Sequence, residues 1–301
     1  MPEAGIIPLN YDILSNKLAR SNLQELEWYG IVDLEPFNTN IAEFYVDHHL
    51  SVIGREINAK KIRFDVNGDS GAWQLFLSQF IGIVPEHIAE LAVMTRTTDT
   101  AGYTTQPPTT ILNDLTDLDF KDLTGKVTLE ENEQRIWLLD DTWGTVKTVV
   151  DHLKLINSLA KDGFVGLRDY LPQVNKLREH RKLSYALADT IDLRGDFVLY
   201  SFTEKSVDKV GINRRLQHKG VKIVASMART PLGVKISLRR NRGLSETENQ
   251  RIQLNELASI MGGGGHAGAS GCFTTTVEEA VEKISKWCTE KGFSLVFSKL
   301  N

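Results

Sequence analysis

Short apolar runs, each closed by an acidic residue, recur in the first hundred residues. Residues 29–33 (YGIVD) and 44–47 (FYVD) are rich in β-forming side chains and predict two strands. The stretch after Gly68 (AWQLFLSQF) predicts a helix, and so does 85–94, which opens on a proline. The segment 96–110 (RTTDTAGYTTQPPTT) has the composition of a loop. This half of the chain therefore predicts an α/β domain.

The pattern changes after residue 190, where strands predominate. Residues 196–202 (DFVLYSF), 221–228 (VKIVASMA) and 233–240 (GVKISLRR) each predict a strand. The last two are joined by RTPLG, a turn sequence, which predicts a hairpin. Apolar and polar side chains alternate within 233–240, so one face of that strand is expected to lie in a core.

An amphipathic helix is predicted near the C-terminus. Thr276 and Glu279 have the spacing of a capping box, in which both side chains bind backbone N–H groups of the first turn. Apolar residues follow at helical spacing as far as Cys288, and Gly292 suits the C-terminal cap. Residues 294–297 (SLVF) predict a final strand.

Charge divides the chain at the same place as the element pattern. Residues 1–190 hold 18 basic and 28 acidic side chains, a net charge of −10, whereas 191–301 hold 17 and 11, a net charge of +6. An acidic domain suits cations and a basic one suits phosphates. The predicted organisation is a first domain at 1–145, a helical connector at 146–189 and a second domain at 190–301.

The composition is that of a water-soluble globular protein. Hydrophobic residues make up 41% and charged residues 25%, and no apolar run approaches the roughly 20 residues that span a bilayer. The N-terminus lacks the pattern of a signal peptide, so a cytoplasmic location without a membrane partner is expected. Cys272 and Cys288 lie among apolar residues and are expected to be buried free thiols.

Carboxylates and imidazoles gather where the predicted strands end. Asp47, His48 and His49 close the second strand, Asp33 ends the first, and Asp99 follows the predicted helix. Ligands of open α/β sheets bind beyond the carboxyl ends of the strands, so these side chains are candidates for one site. Carboxylate with imidazole suits Mn²⁺ better than Ca²⁺. A chance tripeptide, a turn-forming Asp33 and a capping Asp99 are the alternative interpretations.

A glycine-rich stretch in the second domain is a candidate phosphate site. Residues 262–271 (GGGGHAGASG) offer backbone N–H groups that a phosphate can approach closely, and His266 can donate a further hydrogen bond. The alternative is a flexible linker, which the Cys272-Phe273 pair that follows disfavours. Two basic clusters, each equally consistent with solvated surface, are Arg239, Arg240 and Arg242, and Arg214, Arg215 and Lys219.

Three segments together resemble the DHH–DHHA1 phosphoesterase family. They are YVDHH, TTDT about fifty residues later, and SLRRN…LASIMGGGGHAGASGC, whose GGGGH stretch is the most specific. The family includes RecJ-type single-strand exonucleases and phosphatases acting on nanoRNA and 3′-phosphoadenosine 5′-phosphate. The resemblance covers residues 28–105 and 190–301. It implies an α/β fold, in which an N-terminal DHH domain has a mainly parallel sheet and a smaller α/β DHHA1 domain has a mixed sheet.

The resemblance also implies a two-metal centre, usually of manganese (Mn²⁺, with Mg²⁺ as the alternative), in a cleft between the two domains. By resemblance, Asp33, His48 and Asp99 are metal ligands, and Asp33 bridges the two ions. Asp47 would support these ligands, and His49 would contact the scissile phosphate. These five residues form the expected catalytic set.

Substrate binding is expected in the second domain. By resemblance, Gly263, Gly264, Gly265 and His266 hold the distal phosphate or terminal nucleotide, with Arg239 nearby. The implied function is a metal-dependent phosphoesterase or exonuclease that hydrolyses phosphodiester or phosphomonoester bonds of short oligonucleotides or nucleotides. Its expected partners are short single-stranded nucleic acid or nucleotide phosphates. The sequence is compatible with both a monomer and a homodimer. The alternative is a non-catalytic homologue that binds single-stranded nucleic acid or acts as a scaffold subunit.

One departure from the family pattern bears on activity. The family's first motif, of the His-x-Asp-x-Asp type, is expected about fifty residues before Asp33, and the 32 residues that precede Asp33 do not contain it. The first-metal ligands are thus missing from this sequence. A chain truncated at its start and a natural loss of one metal site are the two explanations. The DHH domain is accordingly expected to be N-terminally incomplete.

Overall fold

The chain divides into two compact units, Met1–Thr105 with Thr110–Lys176, and Gln106–Thr109 with Leu177–Asn301. We call them unit 1 and unit 2. The computed structural model describes residues 5–9, 17–34, 41–47, 54–64, 73, 83–99, 103, 105–118, 129–202 and 207–300.

Unit 1 contains a parallel sheet of three described strands. Strands β1 (Trp28–Val32), β2 (Ile41–Asp47) and β3 (Lys61–Phe64) lie in that order, and both pairings are parallel. Helix α1 (Lys17–Gln24) precedes β1. The predicted strands at 29–33 and 44–47 are confirmed, as is the mainly parallel sheet of the first domain.

The longer helical segments in the described residues of unit 1 follow the sheet in the sequence. They are α2 (Glu86–Asp99), α3 (Leu129–Thr145), α4 (Val149–Asp162), the 3₁₀ segment Gly163–Tyr170 and α5 (Leu171–Ala188), within which unit 2 begins. The helix predicted at 85–94 is confirmed but runs on to Asp99, so the loop expected from residue 96 starts too early. The segment predicted as a helical connector is helical over most of its length. The helix expected after Gly68 lies outside the described residues apart from Trp73, and the domain limits at 145 and 189 remain predictions.

Helix α3 anchors the chain that follows α2. Its Glu133 carboxylate accepts a hydrogen bond from the Thr105 backbone N–H at 2.8 Å, and the Trp137 indole N–H donates to the Thr105 hydroxyl at 3.1 Å. The Tyr103 ring stacks on that of Trp137 with centroids 3.6 Å apart. Because Trp137 is fully buried, these contacts tie the segment after Asp99 to the core of unit 1.

Unit 2 is built on a six-stranded mixed sheet. Its strands are β4 (Phe197–Phe202), β5 (Ile223–Thr230), β6 (Gly233–Arg240), β7 (Gly264–His266), β8 (Ala269–Thr274) and β9 (Leu295–Leu300), in the spatial order β7-β8-β6-β5-β4-β9. Strand β4 pairs in parallel with β5 and β9, and the remaining pairings are antiparallel. The predicted hairpin of β5 and β6 and the predicted mixed sheet are confirmed.

Helices cover the two faces of this sheet unequally. On one face, α8 (Leu254–Ile260) and α9 (Val277–Lys291) pack on the apolar side chains of the central strands, and the short helix α7 (Glu246–Arg251) leads into α8. On the other face, α6 (Lys209–His218) packs on β4 and β5. On the α6 side of β6 and β8, the described residues Lys235, Arg239 and Phe273 are exposed, and we call this side the open face. No helix in the described part of the chain is long and apolar enough to cross a membrane.

The helix predicted near the C-terminus is confirmed, with one change at its cap. The Thr276 hydroxyl accepts a hydrogen bond from the Glu279 N–H at 3.1 Å, but the Glu279 carboxylate accepts from the Thr275 N–H instead of that of Thr276. Gly292 adopts the left-handed conformation at the C-terminal cap, with φ 70°. Both cysteines are buried free thiols, as expected.

Candidate active site

Asp33 lies directly after β1 in an uncommon backbone conformation. Its φ is 58°, and among the described residues no other non-glycine residue has a positive φ. Its backbone N–H donates to the Val46 carbonyl at 2.8 Å, which continues the β1–β2 ladder beyond the end of β1. Aspartate tolerates the left-handed region better than most residues, but at a free-energy cost of about 1 kcal/mol. The turn therefore directs the carboxylate out of the strand.

Asp99 is the last residue of α2 and does not lie in a loop, contrary to the sequence expectation. A helix C-terminus carries the negative end of the backbone dipole, which disfavours a carboxylate there. The Thr95 hydroxyl donates to the Leu91 carbonyl at 2.7 Å, and that of Thr98 to the Thr95 carbonyl at 3.0 Å. Both hydroxyls are satisfied by backbone carbonyls of the same helix, so α2 extends through a sequence with low helix propensity.

A cavity of about 540 Å³ in unit 1 brings Asp33 and Asp99 together. A third carboxylate, Asp140 of α3, lines the same cavity and was not identified from the sequence. The other lining residues are apolar apart from two threonines: Ile88, Leu91, Thr95, Thr98, Leu139, Trp143, Ile156, Leu159 and Ala160. The cavity thus combines carboxylates from three elements with an apolar wall.

Asp47 is a buried carboxylate at the end of β2. It is fully inaccessible to solvent, and the Tyr45 hydroxyl lies at 2.8 Å from its Oδ2, the same distance that separates the hydroxyl from the Leu34 carbonyl oxygen. The hydroxyl has one proton to share between the two acceptors. Tyr45 thereby links the ends of β1 and β2, and Asp47 does not line the cavity of Asp33 and Asp99.

The expected metal centre is only partly covered by the described residues. His48 and His49 lie outside them. Within the described part of the chain, no three His, Cys, Asp or Glu side chains converge as metal ligands. Two carboxylates in one cavity, with the imidazole expected from His48, have the donor chemistry that Mn²⁺ and Mg²⁺ accept. The donor types therefore fit, and the complete ligand set remains a prediction.

In unit 2, two predicted substrate ligands lie in one row across the sheet. Arg239 of β6 pairs with Ala269 of β8, which pairs with His266 of β7. Directly paired residues project to the same face, so Arg239 and His266 share the face that α6 leaves open. The Ser270 hydroxyl donates to the His266 carbonyl at 2.7 Å and fixes the β7–β8 hairpin.

Three further cations lie near Arg239 of this row. Burial lowers the pKa of Arg239, and so does the positive charge of Arg214. Burial, then the charges of Lys235 and Arg239, also lower the pKa of Lys209. A positive charge that lowers the pKa of another cation lies near it, and such a group of cations creates a site that favours an anion. We call Lys209, Arg214, Lys235 and Arg239 the basic face.

Two solved structures share this fold. A pGpG-specific phosphodiesterase, PggH from Vibrio cholerae, superimposes with a TM-score of 0.54 at 16% identity, covering 90% of this chain and 87% of that chain. An exopolyphosphatase-related protein from Bacteroides fragilis gives a TM-score of 0.51 at 16% identity, covering 94% and 77%. The chain has the DHH–DHHA1 fold.

Sequence comparison adds nothing to the DHH–DHHA1 assignment, since no protein-family model and no curated protein matches this sequence. Exonuclease RecJ bound to manganese is a further structure with some likeness, with a TM-score of 0.48 at 15% identity and coverage of 96% of this chain and 80% of that chain. PggH and the exopolyphosphatase-related protein establish the fold alone at their low identities, and the predicted fold class is confirmed.

The glycines that carry the DHHA1 resemblance differ in what the fold demands of them. A Cβ on Gly263 would lie 2.1 Å from the Gly271 carbonyl oxygen, and one on Gly265, whose φ is 132°, would lie 2.7 Å from the Ala269 oxygen. Both glycines are therefore required by the backbone of the β7–β8 hairpin. A Cβ on Gly264 would meet nothing within 4 Å. Of the three, Gly264 is the one whose missing side chain leaves space for a ligand.

Three other basic residues of the predicted clusters make structural contacts. The Arg240 guanidinium donates to the carbonyls of Asn249 and Ile252 at 2.5 and 2.8 Å. Arg215 and Lys219 both contact Asp189, at 2.9 and 2.6 Å, and hold the pKa of that carboxyl well below its usual range. Lys209 and Lys235, by contrast, were missed from the sequence, because only the fold brings them beside Arg239.

Proposed function

We propose that this protein is a metal-dependent phosphoesterase that hydrolyses phosphodiester or phosphomonoester bonds of short oligonucleotides or nucleotides. The observation that carries the proposal is the shared cavity of Asp33 and Asp99. These residues end elements that are distant in sequence, and each occupies a locally unfavourable position. Groups held at such a cost are often functional.

The chain's own residues divide the work between its two units. Asp33, Asp99 and His48 would hold Mn²⁺ or Mg²⁺, which supplies Lewis-acid chemistry at a phosphoryl oxygen. Asp47 would keep the end of β2 in place through Tyr45, and His49 would contact the scissile phosphate.

The basic face would hold the substrate's phosphates. Arg239 offers a planar guanidinium that can bind a phosphate through two hydrogen bonds, and Lys209 and Lys235 offer compact charges beside it. Gly264 leaves its backbone open to close approach. PggH, which shares the fold, is a phosphodiesterase specific for pGpG, and this likeness favours a nucleotide substrate here as well.

Hydrolysis of a small substrate panel tests the proposal. The panel contains pGpG, DNA and RNA oligonucleotides of two to five residues, and 3′-phosphoadenosine 5′-phosphate, each with Mn²⁺ or Mg²⁺. We expect Asp33→Asn and Asp99→Asn to lower kcat/KM by at least about 100-fold, since loss of an outer-sphere partner alone costs 10- to 100-fold. Asp162→Asn is the matched control, because this exposed unit 1 carboxylate makes no capping hydrogen bond. Hydrolysis that survives in both cavity variants would refute the assignment of the cavity.

A second candidate function is a non-catalytic nucleic-acid-binding homologue. The observation that favours it is that the basic face belongs wholly to unit 2, so its charge is independent of the Asp33 cavity. If the wild-type chain hydrolyses nothing in the panel with either metal, yet Arg239→Ala weakens oligonucleotide binding, this second function is the correct one.

A further inference from the structure

Phe273 is a large aromatic side chain on the open face of the unit 2 sheet. It keeps 49% of its surface exposed although it lies within β8. It pairs with Lys235 of β6, and Lys235, Ser237 and Arg239 alternate with the buried Val234, Ile236 and Leu238. Phe273 therefore projects to the same face as the basic face and His266.

Two paired glycines, Gly271 and Gly264, lie between Phe273 and the row of Arg239 and His266. Gly271 lies two residues before Phe273 and pairs with both Ser237 and Gly264. A Cβ on Gly271 would be at ordinary contact distance, 3.6 Å, from the Ile236 oxygen, and one on Gly264 would meet nothing. The fold thus does not require either glycine to lack a side chain. Together they form a flat surface between the ring and Arg239.

The spacing of the two rows sets the size of a ligand that reaches both. Phe273 and Ala269, the partner of Arg239, are four residues apart on β8, or about 14 Å. A single phosphate cannot span that distance. The face of an aromatic ring carries the negative part of its quadrupole, so it does not attract a phosphate either. A nucleobase, in contrast, stacks on such a ring whatever its sequence.

We infer that Phe273 stacks a nucleobase of a substrate that also places a phosphate on the row of Arg239 and His266. The inference rests on the proposed function and narrows its substrate class: the ligand carries bases and is longer than one nucleotide, and a bare polyphosphate is a poor ligand. Phe273 is then a specificity-determining residue that contacts substrate away from the reacting phosphate. An exposed aromatic ring interleaved with cations is also the composition typical of surfaces that bind single strands.

The test compares two probes of equal charge on the full-length chain, in EDTA so that the probe is not hydrolysed. One is a fluorescent five-nucleotide DNA strand, and the other is the same strand with abasic residues throughout. Wild-type protein should bind the base-bearing probe about 5- to 100-fold more tightly. Phe273→Ala should abolish this preference without changing the affinity for the abasic probe, and Phe273→Trp should restore it.

Two controls isolate the ring. Phe297→Ala removes an aromatic side chain of 37% exposure. Phe297 pairs with Leu199 of β4, whose side chain lies in the core on the α9 side, so it projects to the opposite face of the sheet. This variant should bind like wild type. Arg239→Ala should weaken both probes equally, because it removes a phosphate contact.

Different outcomes refute the role of Phe273 and the proposed phosphoesterase function. If Phe273→Ala keeps the base preference while Arg239→Ala weakens both probes, the inference is wrong and the proposed function stands. If Phe273→Ala weakens both probes equally and shifts the protein to a smaller species in size-exclusion chromatography, Phe273 is a contact between copies, and the inference is again wrong. If wild type binds neither probe and hydrolyses no nucleotide, the proposed function fails as well.

Discussion

Gly263, which precedes β7, and Gly264, the first residue of β7, serve the fold in different ways. Gly263 packs against the backbone of Gly271, while Gly264 faces open space. We expect Gly263→Ala to lower the free energy of unfolding by about 1–3 kcal/mol through overpacking. Gly264→Ala should change it by no more than about 0.5 kcal/mol. Urea denaturation of both variants measures the difference, and similar losses would contradict the roles given to the two residues.

Ion pairs of unit 2 differ in the same way. Asp208 contacts Arg181 at 2.5 Å with side-chain exposures of 6% and 3%, and its carboxylate also accepts from the Gly211 N–H at the start of α6. Asp208→Ala would leave a buried guanidinium without its charge partner, which costs about 3–5 kcal/mol of stability. Asp189→Ala removes a carboxylate of 39% exposure that contacts Arg215 and should cost no more than about 1 kcal/mol. Chemical denaturation midpoints compare the two, and equal shifts would show that burial does not govern these pairs.

Residue identity alone predicted part of the candidate site. Asp33 was recognisable because it ends an apolar run and Asp99 because it follows a predicted helix, and both line one cavity. Asp140 gave no such signal, since it lies inside a helix that also buries Asp141. The alternation of β6 correctly placed Lys235 on the face opposite the core, but the sequence did not indicate which other cations lie beside it. Its position beside Lys209 depends on how α6 meets the sheet, which no local pattern encodes.

At the scale of elements, the sequence predicted those whose periodicity is unambiguous. Strand β6 alternates strictly, and the turn before it fixes the hairpin, so its bounds of Gly233–Arg240 agree with the prediction. The end of α2 was missed because its threonines disfavour helix in isolation, while hydrogen bonds within the helix and tertiary packing hold them there. Strand β7 lies within the glycine-rich stretch, where no strand was predicted, and its pairing with β8 makes it a strand.

The first turn of α9 gives a pH-dependent prediction. The Lys283 ammonium, and then the Thr275 N–H, lower the pKa of the Glu279 carboxyl from its usual 4.5. A depressed pKa in the folded state adds stability above the unfolded value, and that stability is lost as the pH falls through the folded value. The Tm of Glu279→Gln should therefore lie below that of wild type at pH 7, and the gap should close as the pH falls below 4.5. An unchanged gap in acid would show that the ionised carboxylate is not responsible.

At the scale of the whole molecule, charge segregation predicts how binding responds to salt. Each phosphate contact on a single strand contributes about −0.7 to the slope of log K against log salt, so the four cations of the basic face predict about −3. Lys209→Ala or Lys235→Ala should each reduce the slope by about 0.7, as measured by oligonucleotide titration at several salt concentrations. Lys222→Ala is the control, because Lys222 is paired with Asp196 and Glu248. If the Lys209 and Lys235 variants leave the slope unchanged, the phosphates of the oligonucleotide do not bind at the basic face.

The placement of the two cysteines gives the molecule a built-in reporter. Cys272 and Cys288 are the only cysteines of the chain and belong to the same core in unit 2, where burial raises the pKa of Cys272 to about 11 and that of Cys288 to about 12. A thiol that is both sealed from reagent and protonated reacts with an alkylating agent only when its surroundings open. The alkylation rate of the native protein would therefore measure how often the core of unit 2 opens, without a contribution from unit 1. An oligonucleotide bound to the basic face should lower the alkylation rate of the two cysteines, while a ligand confined to unit 1 should leave that rate unchanged.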